Sequence, residues 1–432
     1  MATAIFEVHK AVFERQALAW AQQFDQVCFL QSNGYSDTYS SIESILAVGA
    51  TAVFENNTAD TFQALENFKS KHPHHWMFGF FGYDLKNEIE DLSTSFPNPL
   101  GFPDTYFFIP QTILKFSAQS VEIISADPTR IFSQIMATEL EEQEHPFEGE
   151  VVSRMSKEEY INAFEQLKAH IQRGDIYEVN LCQEFYAQPA HIHPLQTYVK
   201  LNQVSPTPFS TFFKIKDKYI LSASPERFLA KRGESLISQP IKGTAPRGRT
   251  AEEDRKIQET LRNNPKEIAE NVMIVDLVRN DMTRSAHPGT VAAERKLEIK
   301  SYRQVHQLVS TITCQKNNQI SDIEAIKNIF PPGSMTGAPK ISAMQLCDRY
   351  EHSRRGVYSG TVGYFAPNGD FDFNVIIRTI LYNDTKQYLS FHTGGAITVD
   401  AVADDEYREC LLKAKAMLET LGTKLQEVAK TK

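Results

Sequence analysis

The order of strand-like and helix-like segments limits the fold of this chain more than any other feature. Residues 27–30 and 121–124 are short apolar runs typical of strands, and residues 61–70 are predicted to be helical. After a strand-like segment at 175–185, strands and helices mix without a regular βαβ alternation or an internal repeat. A doubly wound parallel sheet is therefore not favoured. The chain also lacks GxGxxG and GxxxxGKS/T motifs, which are the main support for dinucleotide and P-loop sites.

Local composition predicts three parts of the chain. Residues 139–152 are acidic and contain proline and glycine, which predicts a linker. It separates an N-terminal part, 1–138, from a main part, 153–420, and we expect the two parts to form one integrated α/β sandwich. The main part begins with a helix, because Ser156 and Glu159 have the spacing of a capping box.

Charge and composition narrow the classes of function. The 432 residues carry a formal net charge of −9, which argues against a nucleic-acid-binding protein. Five scattered cysteines without a CxxC pair argue against a zinc site or a disulfide framework and favour a reducing compartment. No apolar run approaches the ~20 residues that a membrane span needs, and the start shows no signal-peptide pattern. These features predict a cytoplasmic protein.

Lys242 is a candidate nucleophile. It follows an apolar run, and Gly243 beside it allows backbone N–H groups to approach a ligand closely. Thr244 adds a hydroxyl at the same place. We expect Arg247 and Arg249 to favour the neutral amine of Lys242, the form that attacks carbon. The alternative is a surface lysine in a turn, which is the commoner fate of a Lys-Gly pair.

Two predicted helices each carry carboxylates three residues apart. Glu267 and Glu270 share one face of the first helix, and Glu406 and Glu409 have the same spacing on the last. Such carboxylates suit Mg²⁺, which takes one or two of them and keeps several waters. The alternative is structural, because Glu267 also has capping-box spacing and Glu409 can pair with Lys413 on the helix surface.

Glycine-rich turns between these helices add groups that bind anions. The loop at 331–340 precedes a predicted helix, whose N-terminus can receive an anion. Arg378 ends an apolar strand and suits a bidentate carboxylate contact. His306 lies in another apolar strand, where a hydrogen-bonded core histidine is the commoner case.

Taken together, these features resemble the chorismate-utilising enzymes over nearly the whole chain. The segments that carry the resemblance are 29–32 through 39–40, 79–84, 174–177, 224–228, 240–244, 270–281, 332–340, 358–364, 377–378, 394–396 and 406–409. The resemblance implies an α+β fold of two packed, largely antiparallel β-sheets with helices on the outside. It places the active site in a cleft between them.

The resemblance also implies a magnesium and substrate site. Glu270 and Glu409 would bind Mg²⁺ directly, and Glu267 and Glu406 would bind it through water. The groups around the metal and the chorismate carboxylates would be Gly243, Thr244, Ser334, Tyr358, Arg378, Gly394, Gly395, Ala396 and Lys413.

Lys242 separates two branches of these enzymes, because anthranilate synthases typically carry alanine at its position and aminodeoxychorismate synthases carry lysine. The sequence resembles component I of the second branch most closely. There the lysine attacks C2 of chorismate while Glu226 protonates the departing 4-hydroxyl, and ammonia then enters at C4 and expels the lysine. His306 would assist near the ring. The product, 4-amino-4-deoxychorismate, leads to p-aminobenzoate and folate.

The resemblance implies a second protein as the source of ammonia. None of the five cysteines has the glycine-flanked setting of a glutaminase nucleophile, so a separate glutamine amidotransferase subunit would complete a heterodimer. Two positions depart from the pattern. Gln31 replaces an acidic residue common in anthranilate synthases, which argues against tryptophan binding near Ser32, and Asn271 replaces a histidine with little consequence.

Three alternatives remain open. Anthranilate synthase component I would form anthranilate and release pyruvate. The isochorismate or salicylate branch would use water and need its lysine base elsewhere. A non-catalytic subunit would only bind a partner, and the retained carboxylates and Lys242 argue against that reading.

Overall fold

A computed structural model describes residues 1–56, 59–141 and 143–426 of the chain. The strands of this described part are β1 (Ala2–Glu7), β2 (Gln26–Gln31), β3 (Ser44–Asn56), β4 (Met77–Phe81), β5 (Thr105–Phe116), β6 (Ser120–Ser125), β7 (Glu148–Gly149), β8 (Val152–Ser153), β9 (Glu178–Ala187), β10 (Ala190–His191), β11 (Phe209–Ile215), β12 (Lys218–Ser224), β13 (Arg227–Arg232), β14 (Ser235–Gln239), β15 (Ile241–Pro246), β16 (Ala292–Ser301), β17 (Val305–Gln315), β18 (Gly337–Ala338), β19 (Thr361–Phe365), β20 (Phe371–Val375), β21 (Thr379–Asn383) and β22 (Tyr388–Ile397). The helices are α1 (Lys10–Ala21), α2 (Thr61–Lys71), α3 (Lys86–Ile89), α4 (Pro128–Met136), α5 (Lys157–Arg173), α6 (Pro194–Val204), α7 (Ala251–Asn263), α8 (Pro265–Thr283), α9 (Asp322–Ile329), α10 (Lys340–Tyr350) and α11 (Ala403–Leu421).

Helix starts follow the local sequence signals. The predicted capping box is present at α5, where the Ser156 hydroxyl accepts from the Glu159 N–H and the Glu159 carboxylate accepts from the Ser156 N–H. At α8 the Asn264 side chain accepts from the Lys266 and Glu267 N–H groups. The Glu267 side chain takes no part in that cap, so its carboxylate remains available for another interaction. The predicted strands 27–30 and 121–124 lie in β2 and β6, and the predicted helix 61–70 lies in α2.

The strands form an extensive antiparallel arrangement. Twenty strands of the described residues join in one hydrogen-bonded network, and β7 pairs separately with β10. Strands from before and after the predicted linker pair directly, since β2 pairs with β11 and β4 pairs with β19. The predicted α+β class with largely antiparallel strands is therefore confirmed.

The strands pack face to face over a phenylalanine-rich core. The Phe80 ring on β4 lies 5.7 Å, centroid to centroid, from the Phe213 ring on β11, although these two strands do not pair. Such contacts require two layers of sheet stacked against each other. A second hydrophobic cluster includes Phe164 of α5 and Met417 of α11, which pack helices onto the sheet from outside.

Two further sequence predictions concern the linker and membrane-spanning helices. The predicted linker at 139–152 contains β7 and reaches β8, and its residue 142 lies outside the described residues. Among the helices that the structure describes, each is too short or too polar to cross a bilayer.

Candidate active site

One cleft collects most of the residues predicted to carry chemistry. It has a volume of about 810 Å³ and lies where β15 and β22 meet α8 and α11. The predicted site residues that line it are Glu226, Lys242, Gly243, Thr244, Glu267, Glu270, Ser334, Tyr358, Arg378, Gly394, Ala396, Glu406, Glu409 and Lys413. Gly395 lies between two lining residues, and a Cβ added there would stand 2.6 Å from Oε2 of Glu406.

His306 is the predicted site residue that the cleft excludes. It is fully buried on β17, where its Nε2 lies 2.8 Å from the Asp254 carboxylate and its Nδ1 lies 2.8 Å from the Ser301 hydroxyl. Its neighbours Val305 and Gln307 line the cleft instead, because successive side chains of a strand point to opposite faces. His306 is thus hydrogen-bonded away from the cleft, and the structure does not bring it together with the other predicted site residues.

Lys242 occupies an irregular part of the sheet. The register of β15 against β17 shifts between Ile241 and Thr244, which is the signature of a bulge that re-aims side chains. The Lys242 side chain is 9% exposed, and its Nζ lies 2.5 Å from Oε1 of Glu178. The nucleophile predicted from sequence is therefore a buried lysine in an ion pair, and the alternative of a surface lysine in a turn is excluded.

The charge state of Lys242 differs from the sequence prediction. Burial lowers the pKa of Lys242, but the charges of Glu178 and Glu270 outweigh burial and hold the pKa above its ordinary value. The expected influence of Arg247 and Arg249 is not among the main causes of this shift. Arg247 instead pairs with Asp254 at 2.9 Å. In the free protein Lys242 is a charged ammonium.

Glu226 is buried and holds its proton at higher pH than an ordinary glutamate. Its side chain lies where β12 ends and β13 begins, with 4% of the residue exposed. Burial raises the pKa of Glu226 to about 7, although Ser334, Lys242 and Arg378 each oppose that rise. The Ser334 hydroxyl is itself buried without a regular hydrogen bond, and it lies beside the Glu226 carboxyl. A carboxylic acid of this kind can give a proton to a departing group at neutral pH.

The four glutamates of α8 and α11 face one another across the cleft. Burial raises the pKa of Glu270 to about 7, and the charges of Glu178 and Glu267 contribute to that rise. Burial also raises the pKa values of Glu267 and Glu406, with a further contribution from the charge of Glu409. Mutual repulsion of this kind is typical of carboxylates that share a site.

A cation is already drawn to these carboxylates. The Lys266 ammonium lies 3.2 Å from Oε1 of Glu406 and 3.9 Å from Oε1 of Glu270. Oε1 of Glu270 is buried and makes no hydrogen bond. Within the described part of the chain, no three Asp, Glu, His or Cys side chains converge closely enough to enclose a metal by themselves. The donor set fits Mg²⁺, which needs one or two carboxylates and takes its other ligands from water or substrate.

The cleft also offers cationic groups for an anion. Arg378 is half-buried, burial lowers the pKa of its guanidinium, and it forms no salt bridge within the described residues. The Lys413 ammonium donates to the Gly394 carbonyl at 2.8 Å and pairs with Glu409 at 2.8 Å. A half-buried guanidinium without a carboxylate partner is a strong site for a carboxylate ligand.

Two functional neighbours escaped the sequence analysis. Glu178 directly follows the segment 174–177, but nothing in its spacing connects it with Lys242, 64 positions away. His392 lines the cleft with its ring stacked on Tyr358 at 4.9 Å, and burial lowers the pKa of His392 to about 3. The only sequence signal near this second residue is the segment 394–396, which begins two positions after it.

Comparison with known proteins gives a consistent result. The sequence pattern described as chorismate binding enzyme matches residues 24–419. The chain is 32% identical over 366 residues to aminodeoxychorismate synthase component 1 of Bacillus subtilis, covering 81% of this chain and 77% of that protein. It is 41% identical over 268 residues to the probable chloroplastic aminodeoxychorismate synthase of Oryza sativa subsp. japonica, covering 61% of this chain. The chain spans only 30% of that plant protein's length.

Structural comparison leads to the same group. Anthranilate synthase component I from Streptococcus pneumoniae TIGR4 superimposes with a TM-score of 0.77 and 25% identity, covering 89% of this chain and 95% of that one. Proteins named anthranilate synthase component 1 are also among the sequence relatives.

Proposed function

This chain belongs to the chorismate binding enzyme family, and we propose that it aminates chorismate at C4 to give 4-amino-4-deoxychorismate. The observation that carries the proposal is Lys242, a buried amine on the wall of a cleft that also holds the protonated acid Glu226. The names of the relatives from Bacillus subtilis and Oryza sativa support this branch of the family.

The two residues divide the proposed reaction between them. Lys242 attacks C2 of chorismate, and Glu226 protonates the hydroxyl that leaves C4. Ammonia then attacks C4 and displaces the lysine from C2. The raised pKa of Glu226 supports its part, because the acid must still carry its proton at neutral pH.

Chorismate carries two carboxylates, so the site must neutralise a dianion. Arg378 is available for one of them, since it forms no salt bridge within the described residues. We propose that Glu270 and Glu409 hold Mg²⁺ directly and that Glu267 and Glu406 hold its waters. When bound, Mg²⁺ supplies positive charge for a substrate carboxylate. The glycine at 395 supports this assignment, because a Cβ there would crowd the Glu406 carboxylate.

The ammonia requires a second protein in this proposal. The relative from Bacillus subtilis is named component 1, which supports a partner component for this chain as well. We propose that the partner is a glutamine amidotransferase subunit that releases ammonia from glutamine.

The test is mass spectrometry of the product formed from chorismate, Mg²⁺ and ammonium. We expect a free product, not attached to the protein, in which an amino group replaces one hydroxyl of chorismate. No pyruvate should be released. The Lys242→Ala variant is the matched control, and it should lose C4 amination while still binding chorismate. Pyruvate release with anthranilate would assign the chain to the anthranilate branch. An isomer of chorismate, or salicylate with pyruvate, formed without ammonium would assign it to the isochorismate or salicylate branch.

A further inference from the structure

Glu178 makes the closest polar contact of the proposed nucleophile. Its Oε1 lies 2.5 Å from Nζ of Lys242, and the two side chains are 5% and 9% exposed. No other carboxylate of the described residues forms a salt bridge with Lys242. The two groups are in direct contact, so a proton can pass between them without an intervening water.

The backbone around Glu178 is fixed on several sides. Glu178 is the first residue of β9 and pairs with Ala338 of β18. The N–H groups of the flanking Tyr177 and Asn180 donate to the carbonyls of Ala338 and Thr336 at 2.7 and 2.8 Å. A Cβ added at Gly337 would stand 2.2 Å from the Glu178 carbonyl oxygen, so the two segments approach as closely as glycine permits. Backbone contacts with the segment around β18 thus hold Glu178 in place.

We propose that Glu178 is a catalytic residue that accepts the proton Lys242 must lose before it attacks C2. This inference rests on the proposed amination and deepens it. The charges of Glu178 and Glu270 outweigh burial and keep Lys242 an ammonium in the free protein, and an ammonium has no lone pair. Glu226 cannot take the proton, because it must itself deliver one to the leaving hydroxyl.

The protons and electrons of the proposed sequence balance. Lys242 passes one proton to Glu178 and becomes a neutral amine. The amine lone pair forms the C2–N bond, the ring double bonds shift, and the C4–O bond breaks as the hydroxyl takes the proton of Glu226 and leaves as water. Ammonia forms the C4–N bond while the C2–N bond breaks, and its surplus proton returns to Glu226. The released amine then recovers its proton from Glu178.

The test combines a chemical label with turnover in the Glu178→Gln variant. Glutamine keeps the size and an acceptor oxygen but cannot take the proton. Cyanate carbamylates neutral amines, and peptide mass spectrometry measures its rate at Lys242. Without the carboxylate charge, the pKa of Lys242 should fall, so labelling at pH 8 should become about tenfold faster or more. Amination relative to the labelling rate of Lys242 should fall by about 10²–10⁴-fold, the usual loss when a general base is removed.

These opposite changes distinguish a base from a residue that only supports the fold. Asp322→Asn is the matched control, because Asp322 forms a similarly buried pair with Lys231 at 2.7 Å outside the cleft. It should change neither the labelling of Lys242 nor amination. Glu178→Asp, which retains a carboxylate, should recover part of the lost turnover. Amination that survives in Glu178→Gln, or unchanged labelling of Lys242 there, would overturn the proposal. If the wild-type protein does not aminate chorismate, the proposed function is refuted. The labelling assay does not depend on amination, so faster labelling of Lys242 in Glu178→Gln would still show that Glu178 controls the charge of Lys242.

Discussion

Replacing Glu226 with glutamine should make the folded protein more stable at alkaline pH while it removes amination. The Glu226 carboxyl is 4% exposed, and burial raises its pKa to about 7 from an ordinary value of 4.5. A carboxyl with a higher pKa in the folded state keeps its proton there while the unfolded chain has already released it. The folded state therefore loses stability as the pH rises from about 4.5 to about 7.

The size of this effect follows from the two pKa values. One pKa unit corresponds to about 1.4 kcal/mol, so ionised Glu226 costs the folded state about 3 kcal/mol at pH 8. At pH 5 most folded molecules still hold the proton, and the cost falls to about 1 kcal/mol or less. Glutamine resembles the protonated acid in shape and carries no charge. We expect Glu226→Gln to raise the free energy of unfolding by an amount that grows between pH 5 and pH 8.

Urea unfolding of both proteins at pH 5 and pH 8 measures this difference, and the product assay follows amination in parallel. Loss of the acid should lower amination by about 10²–10⁴-fold. Glu14→Gln is the matched control, since Glu14 is also buried with a raised pKa but lies outside the cleft. It should leave amination unchanged. A Glu226→Gln variant that is less stable than the wild type at pH 8, or equally stabilised at both pH values, would refute the reasoning.

Three further predictions concern the same cleft. At a fixed concentration of free ammonia, wild-type amination should fall about tenfold for each pH unit above 7 as Glu226 loses its proton, and a rate that rises through this range would contradict its role as the acid. Glu270→Gln should weaken the dependence on magnesium, and a variant that titrates with Mg²⁺ like the wild type would remove Glu270 from the proposed ligands. Gly395→Ala should displace the Glu406 carboxylate, because the new Cβ would lie 2.6 Å from its Oε2. The magnesium concentration for half-maximal rate should rise severalfold, and an unchanged value would show that Glu406 has room to move.

Short-range features of this protein were predictable because local hydrogen bonds and side-chain spacing create them. The capping box of α5 needs only Ser156 and Glu159, which are three residues apart. The common face of Glu267 and Glu270 follows from helical periodicity in the same way. The family resemblance added the expectation of antiparallel strands and a cleft, and the strand pairing confirms the antiparallel arrangement.

The sequence by itself thus determined the helix starts, the acidic helix faces and the identity of Lys242 as a candidate nucleophile. Only the tertiary structure decided the surroundings on which their chemistry depends. Arg247 and Arg249 are close to Lys242 along the chain, yet distant Glu178 and Glu270 govern its charge. Burial and the nearest charges set a pKa, and both are produced by segments that meet only when the whole chain has folded.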